Sequence, residues 1–415
     1  MVQVAAEMLD SMETRPDSER RADLLARAAD ALLAARANTP FWHARLPEIP
    51  DGPLSPETLA ALPVLRKAEI PALQAESPPF GGLAELTAEE FPRLFLSPGP
   101  ICEPGARGDD GWGAVRALRA AGFGPGDIVL NTFGYHLTPA GLLMDDAARA
   151  LGCAVIPAGS SSTELVVQAM RAYRPTCYVG TPDHLNILLE AADAKGVDVN
   201  IRSAAVSGAA VSANLRAILR NRGIDSFEMY GTAELGIIAY ETRAHAGMVL
   251  NEDLLVEIVA PGTGDPLPDG EVGELIVTAL RRDYPLFRFA TGDLSAIQPG
   301  VTGCGRTNQR LRGWLGRADD TVKVKGIFLR PDMVSAIVAD SEIVTAGRFI
   351  VEREGERDQL IFEVEGPLHD DAATEAIILK VREFTRLRCT PRWCDGGTIP
   401  RDRPIEDRRE FSASG

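Results

Sequence analysis

The chain has 415 residues, of which 45% are hydrophobic and 25% are charged, and its formal net charge at pH 7 is −16. This composition is typical of a globular protein with two or more domains. The negative charge argues against nucleic acid or an anionic membrane as a partner. No apolar run reaches transmembrane length, and the N-terminus lacks a basic segment followed by an apolar core.

Six cysteines are scattered along the chain without C-x-x-C spacing. The pattern therefore indicates neither a zinc site nor a disulfide framework. Cysteines in such a pattern suit a reducing compartment, so we expect a cytoplasmic protein.

The first hundred residues show one strong helical signal. Residues 17–36 are rich in Ala, Leu and Arg, with apolar positions at helical spacing, which predicts a helix. The following stretch, residues 46–94, is rich in proline and glycine, and we expect one or two short helices and no functional site there.

From residue 112 onward, short apolar runs alternate with helical segments. The predicted strands are residues 128–133, 154–156, 177–179 and 203–206. Alternation of strands and helices at short intervals predicts a parallel sheet with helices on its faces. The fold class is therefore α/β, with parallel-sheet layers in a large N-terminal domain.

The pattern changes after residue 246. Short strands, predicted at residues 256–259, 273–278, 287–289 and 294–297, are separated by Gly/Pro turns, which is typical of an antiparallel β subdomain. The last hundred or so residues predict a small α+β domain. We place the two domains at residues 1–315 and 316–415.

One stretch combines several groups that suit a ligand site. A short apolar run reaches Tyr230. Gly231 and Thr232 then interrupt the regular spacing of apolar residues, and Glu234 follows. A strand that ends in such a loop is where open α/β sheets bind ligands. The Tyr230 ring can stack on a planar base, and Gly231 permits close approach of a ligand to the backbone. The Thr232 hydroxyl can bond a phosphate, and the Glu234 carboxylate suits Mg²⁺.

An anionic ligand would need a local basic region on so acidic a chain. One segment supplies seven cations opposed by two carboxylates, and either it binds an anion or it is a solvated surface. Its cations are Arg306, Arg310, Arg312, Arg317, Lys323, Lys325 and Arg330.

Four motifs occur in a fixed order along the chain: Ser207-Gly-Ala, Tyr230-Gly-Thr-Ala-Glu234, Phe289-Ala-Thr-Gly-Asp293, and the run from Gly316 to Gly326. In this order and spacing the chain resembles the adenylate-forming ligase superfamily, and most closely the phenylacetate–CoA ligases. The resemblance covers nearly the whole chain. It implies ATP or AMP, Mg²⁺ and coenzyme A as ligands, a small carboxylic acid as substrate, and a homodimer.

The resemblance also implies individual roles. Thr232 would contact the α-phosphate, Glu234 would hold Mg²⁺, and Asp293 would accept both ribose hydroxyls, which suits a carboxylate because it offers only acceptors. The other implied nucleotide contacts are Ser207, Gly208, Ala209, Tyr230, Gly231, Arg306 and Arg317.

Further implied roles concern the acid, the thiol and the domain movement. Asp319 would be the hinge about which the small domain rotates, and Lys323 and Lys325 would face the coenzyme A channel. The acyl pocket would be lined by Phe133, Tyr135, His136, Ala140, Gly141, Gly236 and Ile237.

Two departures from the family pattern affect the chemistry. Where the family has a Ser/Thr/Gly-rich phosphate loop, this chain has three prolines between Ser97 and Gly105, which remove amide donors, and Glu103, which is expected to add negative charge. Ile405 stands where the family places a lysine that acts in adenylation. Losing one charge-stabilising donor costs roughly 10²–10³ in rate.

Two functions therefore remain open from the sequence. The first is an AMP-forming acid–CoA ligase with an altered phosphate-binding loop. The second is a non-catalytic homologue that binds an adenylate, AMP or an acyl-CoA.

Overall fold

The structure is a computed structural model. It describes residues 8–49, 52–105, 107, 112–300, 303–318, 322–325, 327–329, 331–355, 357–367, 370–401 and 403–409. The chain divides into two compact units, Met1–Gly316 and Arg317–Ser412. The predicted boundary between residues 315 and 316 lies one residue from this division.

Along the chain, the α-helices of the first unit occur in the N-terminal segment and in the connections between the strands of its main sheet. In chain order they are α1 (Asp17–Asn38), α2 (Pro40–Arg45), α3 (Pro56–Ala60), α4 (Ile70–Glu76), α5 (Ala114–Ala120), α6 (Ala140–Ala150), α7 (Thr163–Tyr173), α8 (Pro182–Ala194) and α9 (Ala213–Asn221). Short 3₁₀ turns occur at Ser11–Thr14, Lys67–Glu69 and Ala88–Glu90. Among the residues that the structure describes, no helix is long and apolar enough to span a bilayer.

The strands of the first unit form three sheets. In chain order they are β1 (Leu65–Arg66), β2 (Leu94–Ser97), β3 (Ile101–Pro104), β4 (Ile128–Asn131), β5 (Ala154–Pro157), β6 (Cys177–Gly180), β7 (Ser203–Val206), β8 (Asp225–Thr232), β9 (Gly236–Glu241), β10 (Met248–Leu250), β11 (Leu254–Val259), β12 (Gly273–Ala279), β13 (Leu286–Ser295), β14 (Ile297–Gln298) and β15 (Arg310–Leu311).

The main sheet has nine strands in the order β14-β15-β10-β9-β8-β7-β6-β4-β5. Its half from β8 to β5 is parallel, and the half from β8 to β14 is antiparallel. Strands β6 and β7 are buried along their whole length, which explains why they are continuous apolar runs in the sequence. The predicted parallel sheet is confirmed.

Hydroxyl caps fix where three of the crossover helices begin. Ser162 Oγ accepts a hydrogen bond from the backbone N–H of the residue three positions on, at the start of α7. Thr181 and Ser212 do the same for α8 and α9. Such caps satisfy amides that have no partner in the first helical turn. The loops before them therefore have defined ends at the carboxyl edge of the sheet.

A second sheet has the order β1-β13-β12-β11. The two short strands predicted at residues 287–289 and 294–297 are in fact joined, because β13 is a single ten-residue strand, Leu286–Ser295. Strand β1 lies parallel to β13, with Leu65 opposite Phe289 and Arg66 opposite Ala290. This pairing brings the proline-rich N-terminal segment to the strand that carries Asp293.

The second unit is a small α+β domain. Its elements are β16 (Val322–Val324), β17 (Ile327–Leu329), α10 (Pro331–Ala339), β18 (Ala346–Glu354), β19 (Arg357–Glu365), α11 (Asp371–Thr385), β20 (Thr390–Trp393) and β21 (Ile405–Asp407). The order of its larger sheet is β20-β19-β18-β21, and β16 pairs with β17. The predicted fold class, a large α/β domain with a β subdomain followed by a small α+β domain, is confirmed.

Ile405 belongs to the core of the second unit. It pairs with Phe349 across β21 and β18, and it is only 5% exposed. The family's lysine position is thus filled here by an apolar side chain that packs among other apolar side chains.

We predict that Ile405→Lys lowers the free energy of unfolding of the second unit by about 3–5 kcal/mol, because it buries an unpaired charge. The matched control, Ile405→Val, should cost about 1 kcal/mol. Hydrogen exchange of peptides from β18 and β19 measures this unit separately. Equal protection in the lysine variant and the wild type would contradict the buried placement.

Candidate active site

The carboxyl ends of two neighbouring parallel strands hold the first group of predicted site residues. The loop of Ser207, Gly208 and Ala209 follows β7, and Gly208 adopts a positive φ of 86°. Strand β8 lies next to β7, and Val206 pairs with Glu228. Tyr230 and Thr232 come shortly beyond that pair, so both segments lie at the same edge of the sheet.

Asp293 is held by two hydrogen bonds from different parts of the first unit. The Tyr230 hydroxyl donates to Asp293 Oδ2 at 2.7 Å, and the Trp314 indole N–H donates to Oδ1 at 2.9 Å. The structure therefore joins two of the predicted motifs directly. Trp314 was not predicted as a site residue.

Glu234 lies in the turn between β8 and β9, and its side chain is fully buried. Its Oε1 is 2.7 Å from the ammonium nitrogen of Lys67. Burial by itself raises the pKa of Glu234. The Lys67 ammonium and hydrogen bonds lower this pKa by a larger amount, so it lies below the ordinary value for a glutamate. Glu234 is therefore an ionised carboxylate whose counter-charge is a lysine.

Glu103 is a second buried carboxyl group in this region. The turn rich in proline lies in a hairpin of β2 and β3, and the Ser97 hydroxyl donates to Glu103 Oε1 at 2.7 Å. Its other oxygen, Oε2, has no hydrogen-bond partner among the described residues. Burial and the negative charge of Glu234 raise the pKa of Glu103 to about 8. Burial and the neighbouring Glu234 therefore disfavour the expected negative charge on Glu103.

Arg281 connects the turn to the loop before α5. Its guanidinium donates to the backbone oxygen of Glu234 at 2.6 Å. The same guanidinium stacks on the Trp112 ring at 3.8 Å. Gly236 is required beside this ring, since a Cβ there would lie 2.3 Å from Trp112 Cβ. The position of the Glu234 backbone is thus fixed from two sides.

The predicted acyl-pocket residues comprise apolar and glycine residues on one hand and two polar residues on the other. Phe133 packs against the apolar cluster that contains Ile237. Gly141 approaches Gly134 so closely that a Cβ would lie 2.5 Å from the Gly134 oxygen. Ala140 begins α6, and Gly236 begins β9.

Two polar members of the predicted pocket differ in burial. The Tyr135 hydroxyl donates to Asp145 at 2.9 Å and accepts from the Asn131 amide at 2.7 Å, which fixes the ring. His136 is exposed, so it does not enclose an apolar group.

Arg306 does not present a free cation for a phosphate. Its Nε lies 2.8 Å from Glu13 Oε2, and both side chains are buried. Arg310 is also buried and donates to backbone oxygens, among them that of Gly300 at 2.9 Å. The predicted basic region is therefore not one exposed surface, and we leave Arg306 out of the proposed nucleotide contacts.

The remaining predictions concern the second unit. Asp319 lies outside the described residues. Lys325 is exposed in the turn between β16 and β17 and has a positive φ of 48°. Lys323 lies on β16 opposite Phe328, and Arg317 is the half-buried first residue of the unit.

Mg²⁺ does not fit at Glu234 as this carboxylate is arranged. Mg²⁺ prefers an octahedral set of oxygens at about 2.0–2.1 Å and usually keeps several waters. Glu234 is instead fully buried and paired with an ammonium group. Among the described residues, no cluster of three or more His, Cys, Asp or Glu side chains is arranged to hold a metal.

Residues 46–94, in which the sequence showed no apparent site, supply Lys67, which lies against Glu234. Lys67 and Lys195 are the only lysines before residue 317 in a chain with 43 lysines and arginines. Lys195 is exposed, so the composition alone does not single out Lys67 as a site residue.

Glu103 gives a prediction about pH. Its pKa is raised from 4.5 to about 8 in the folded protein, so the folded state retains a proton that the unfolded state loses. Its contribution to stability is complete below about pH 4.5 and declines as the pH rises to about 8. Glu103→Gln should therefore show a smaller loss of stability over that range, measured by urea denaturation at several pH values.

Ser341→Ala, in the second unit, is the control for a polar change elsewhere. If Glu103→Gln and the wild type lost stability in parallel from about pH 5 to 8, Glu103 would not carry the retained proton.

The sequence matches one protein family model and several phenylacetate-coenzyme A ligases. A family model described as AMP-binding enzyme matches residues 135–279. The phenylacetate-coenzyme A ligase of Thermus thermophilus is 32% identical over 374 residues, which cover 85% of this chain and 83% of the relative. The enzyme of the same name from Aromatoleum evansii is 28% identical over 435 residues, covering 97% of each chain.

A solved structure shares the fold. It is a 2-hydroxyisobutyryl-CoA ligase in complex with 2-HIB-AMP and CoA, with a TM-score of 0.84 over 96% of this chain and 92% of that chain, at 23% identity. The sequence relationship to the Thermus enzyme spans most of both proteins. The chain therefore belongs to the phenylacetate-coenzyme A ligase family of AMP-binding enzymes.

Proposed function

We propose that the protein is an AMP-forming carboxylic acid–CoA ligase. In the first half-reaction the acid's carboxylate attacks the α-phosphorus of ATP, which forms an acyl-adenylate and releases pyrophosphate. In the second, a thiol attacks the acyl carbon, which forms a thioester and releases AMP. The observation that carries the proposal is the buried Asp293 carboxylate, linked by Tyr230 to the turn that bears Thr232 and Glu234.

Asp293 is assigned to the ribose. A carboxylate has about four lone-pair positions, and Tyr230 and Trp314 each occupy one of them. A carboxylate oxygen can accept more than one hydrogen bond and donates none, which suits Asp293 to two ribose hydroxyls. The two donors also fix the orientation of the carboxylate before a ligand arrives, which lowers the entropic cost of binding.

The adenine and the α-phosphate are assigned to the same edge of the sheet. The loop of Ser207, Gly208 and Ala209 lies beside the end of β8, where Tyr230 offers its ring. Thr232, two residues further on, supplies a hydroxyl for the α-phosphate. Gly231 lies between them and has no room for a Cβ, since the Gly236 oxygen would be 2.4 Å away.

The acid is assigned to the loop between β4 and α6. Phe133 and Ile237 belong to one apolar region, and Tyr135 is held with its ring fixed. These side chains favour an aromatic or medium-sized apolar acid, in agreement with the phenylacetate named for the relatives.

Coenzyme A is the proposed thiol, with Lys323 and Lys325 toward its phosphates and Asp319 as the hinge of the second unit. ATP as the nucleotide donor belongs to the same proposal. The homodimer and the cytoplasmic location stay predictions.

The direct test is ATP–pyrophosphate exchange with a panel of aromatic and short aliphatic acids, followed by mass spectrometry of the CoA thioester. Exchange and thioester with at least one acid are expected. Saturable nucleotide binding with no exchange across the panel would instead indicate the non-catalytic alternative.

We predict that Asp293→Ala lowers kcat/KM for ATP by about 100-fold or more, because it removes two hydrogen bonds to a charged acceptor that contribute about 1.5–3 kcal/mol each. Asp193→Ala is the matched control, since this carboxylate is exposed and pairs with Arg222. Its kcat/KM should equal that of the wild type. An unchanged value in Asp293→Ala would contradict the assignment of the ribose.

A further inference from the structure

The cation beside Glu234 belongs to the protein itself. Lys67 begins a 3₁₀ turn directly after β1, a strand of the second sheet, and its ammonium nitrogen is 2.7 Å from Glu234 Oε1. The Glu234 side chain is fully buried, whereas that of Lys67 is 32% exposed. The charge pair is therefore buried on the carboxylate side and accessible on the ammonium side.

A divalent ion and this ammonium would compete for one carboxylate. A metal ion bound to Glu234 Oε1 would lie within roughly 5 Å of the ammonium, given a metal–oxygen distance of about 2 Å. Two cations at that separation repel each other. The buried carboxylate also has no exposed surface at which a metal could keep its waters.

The other acidic group nearby does not change this balance. Glu103 is buried, its Oε1 accepts from the Ser97 hydroxyl, and the negative charge of Glu234 disfavours a second ionised carboxylate. Arg281 adds positive charge on the same side, where it donates to the Glu234 backbone oxygen. The region thus has one ionised carboxylate and at least one matching cation without any metal ion.

We propose that the Lys67 ammonium is the resident cation of this site and acts on the α-phosphate of a bound nucleotide in place of a divalent metal. A nucleoside monophosphate then binds without metal, and its binding depends on Lys67. The inference rests on the proposed function, because it takes the anion to be the phosphate of an adenine nucleotide.

Calorimetric titration of the full-length wild type with AMP tests the first part, once in EDTA and once in millimolar Mg²⁺. The dissociation constant should agree within about twofold between the two buffers, a difference of about 0.4 kcal/mol. A loss of tenfold or more in EDTA would overturn the proposal. No variant is needed, so folding of a mutant does not affect this comparison.

Lys67→Met tests the second part, with the titration carried out in EDTA. Its affinity for AMP should fall about tenfold or more, as expected when a charged hydrogen-bond donor is lost. Arg66→Met is the matched control, because this neighbouring cation pairs with Glu274 at 3.3 Å instead. It should bind AMP like the wild type, and equal affinity in Lys67→Met would overturn the proposal.

A metal measurement separates this inference from the proposed function. Mn²⁺ is titrated into the wild type and Glu234→Gln without nucleotide and followed by electron paramagnetic resonance. The two proteins should behave alike, and bound Mn²⁺ that Glu234→Gln removes would overturn the proposal. If the wild type bound no AMP in either buffer, the proposed function would fail, and the Mn²⁺ result would still decide whether Glu234 holds a metal ion.

Discussion

The ion pair between Lys67 and Glu234 sets the arrangement of the site. A fully buried carboxylate needs a counter-charge, and here it comes from a segment that is distant in sequence and belongs to another sheet. Because β1 pairs with β13, the strand that carries Asp293 and the residue that neutralises Glu234 are fixed by the same backbone pairing. The N-terminal segment is therefore part of the candidate site and not only a covering of the core.

Hydrogen bonds inside the protein give the site its geometry before a ligand arrives. Asp293 is oriented by Tyr230 and Trp314, and the backbone of Glu234 is fixed by Arg281. These contacts join the ends of parallel strands, where α/β proteins bind ligands, to a strand of the second sheet. Preorganisation of this kind suits a reaction in which charge develops at a phosphorus atom.

The sequence predicted what depends on local patterns. The parallel strands are short apolar runs, and Tyr230, Thr232 and Asp293 lie in contiguous motifs. Lys67 and Trp314 were missed because their roles depend on pairing between distant segments, which no local pattern reports. The raised pKa of Glu103 was missed for a related reason, since burial and the neighbouring Glu234 cause it. Arg306 was assigned to the nucleotide by the family resemblance. Its buried partner, Glu13, is far away in the chain, so no local pattern indicated the ion pair.

The central claim is that these segments form one nucleoside site at the carboxyl edge of the main sheet. A crystal structure of the full-length protein soaked with AMP tests it most directly. The account predicts the ribose hydroxyls on Asp293, the adenine beside Tyr230, and the phosphate next to Thr232 and Lys67. Density for AMP at another place, with Asp293 bonded only to Tyr230 and Trp314, would contradict it.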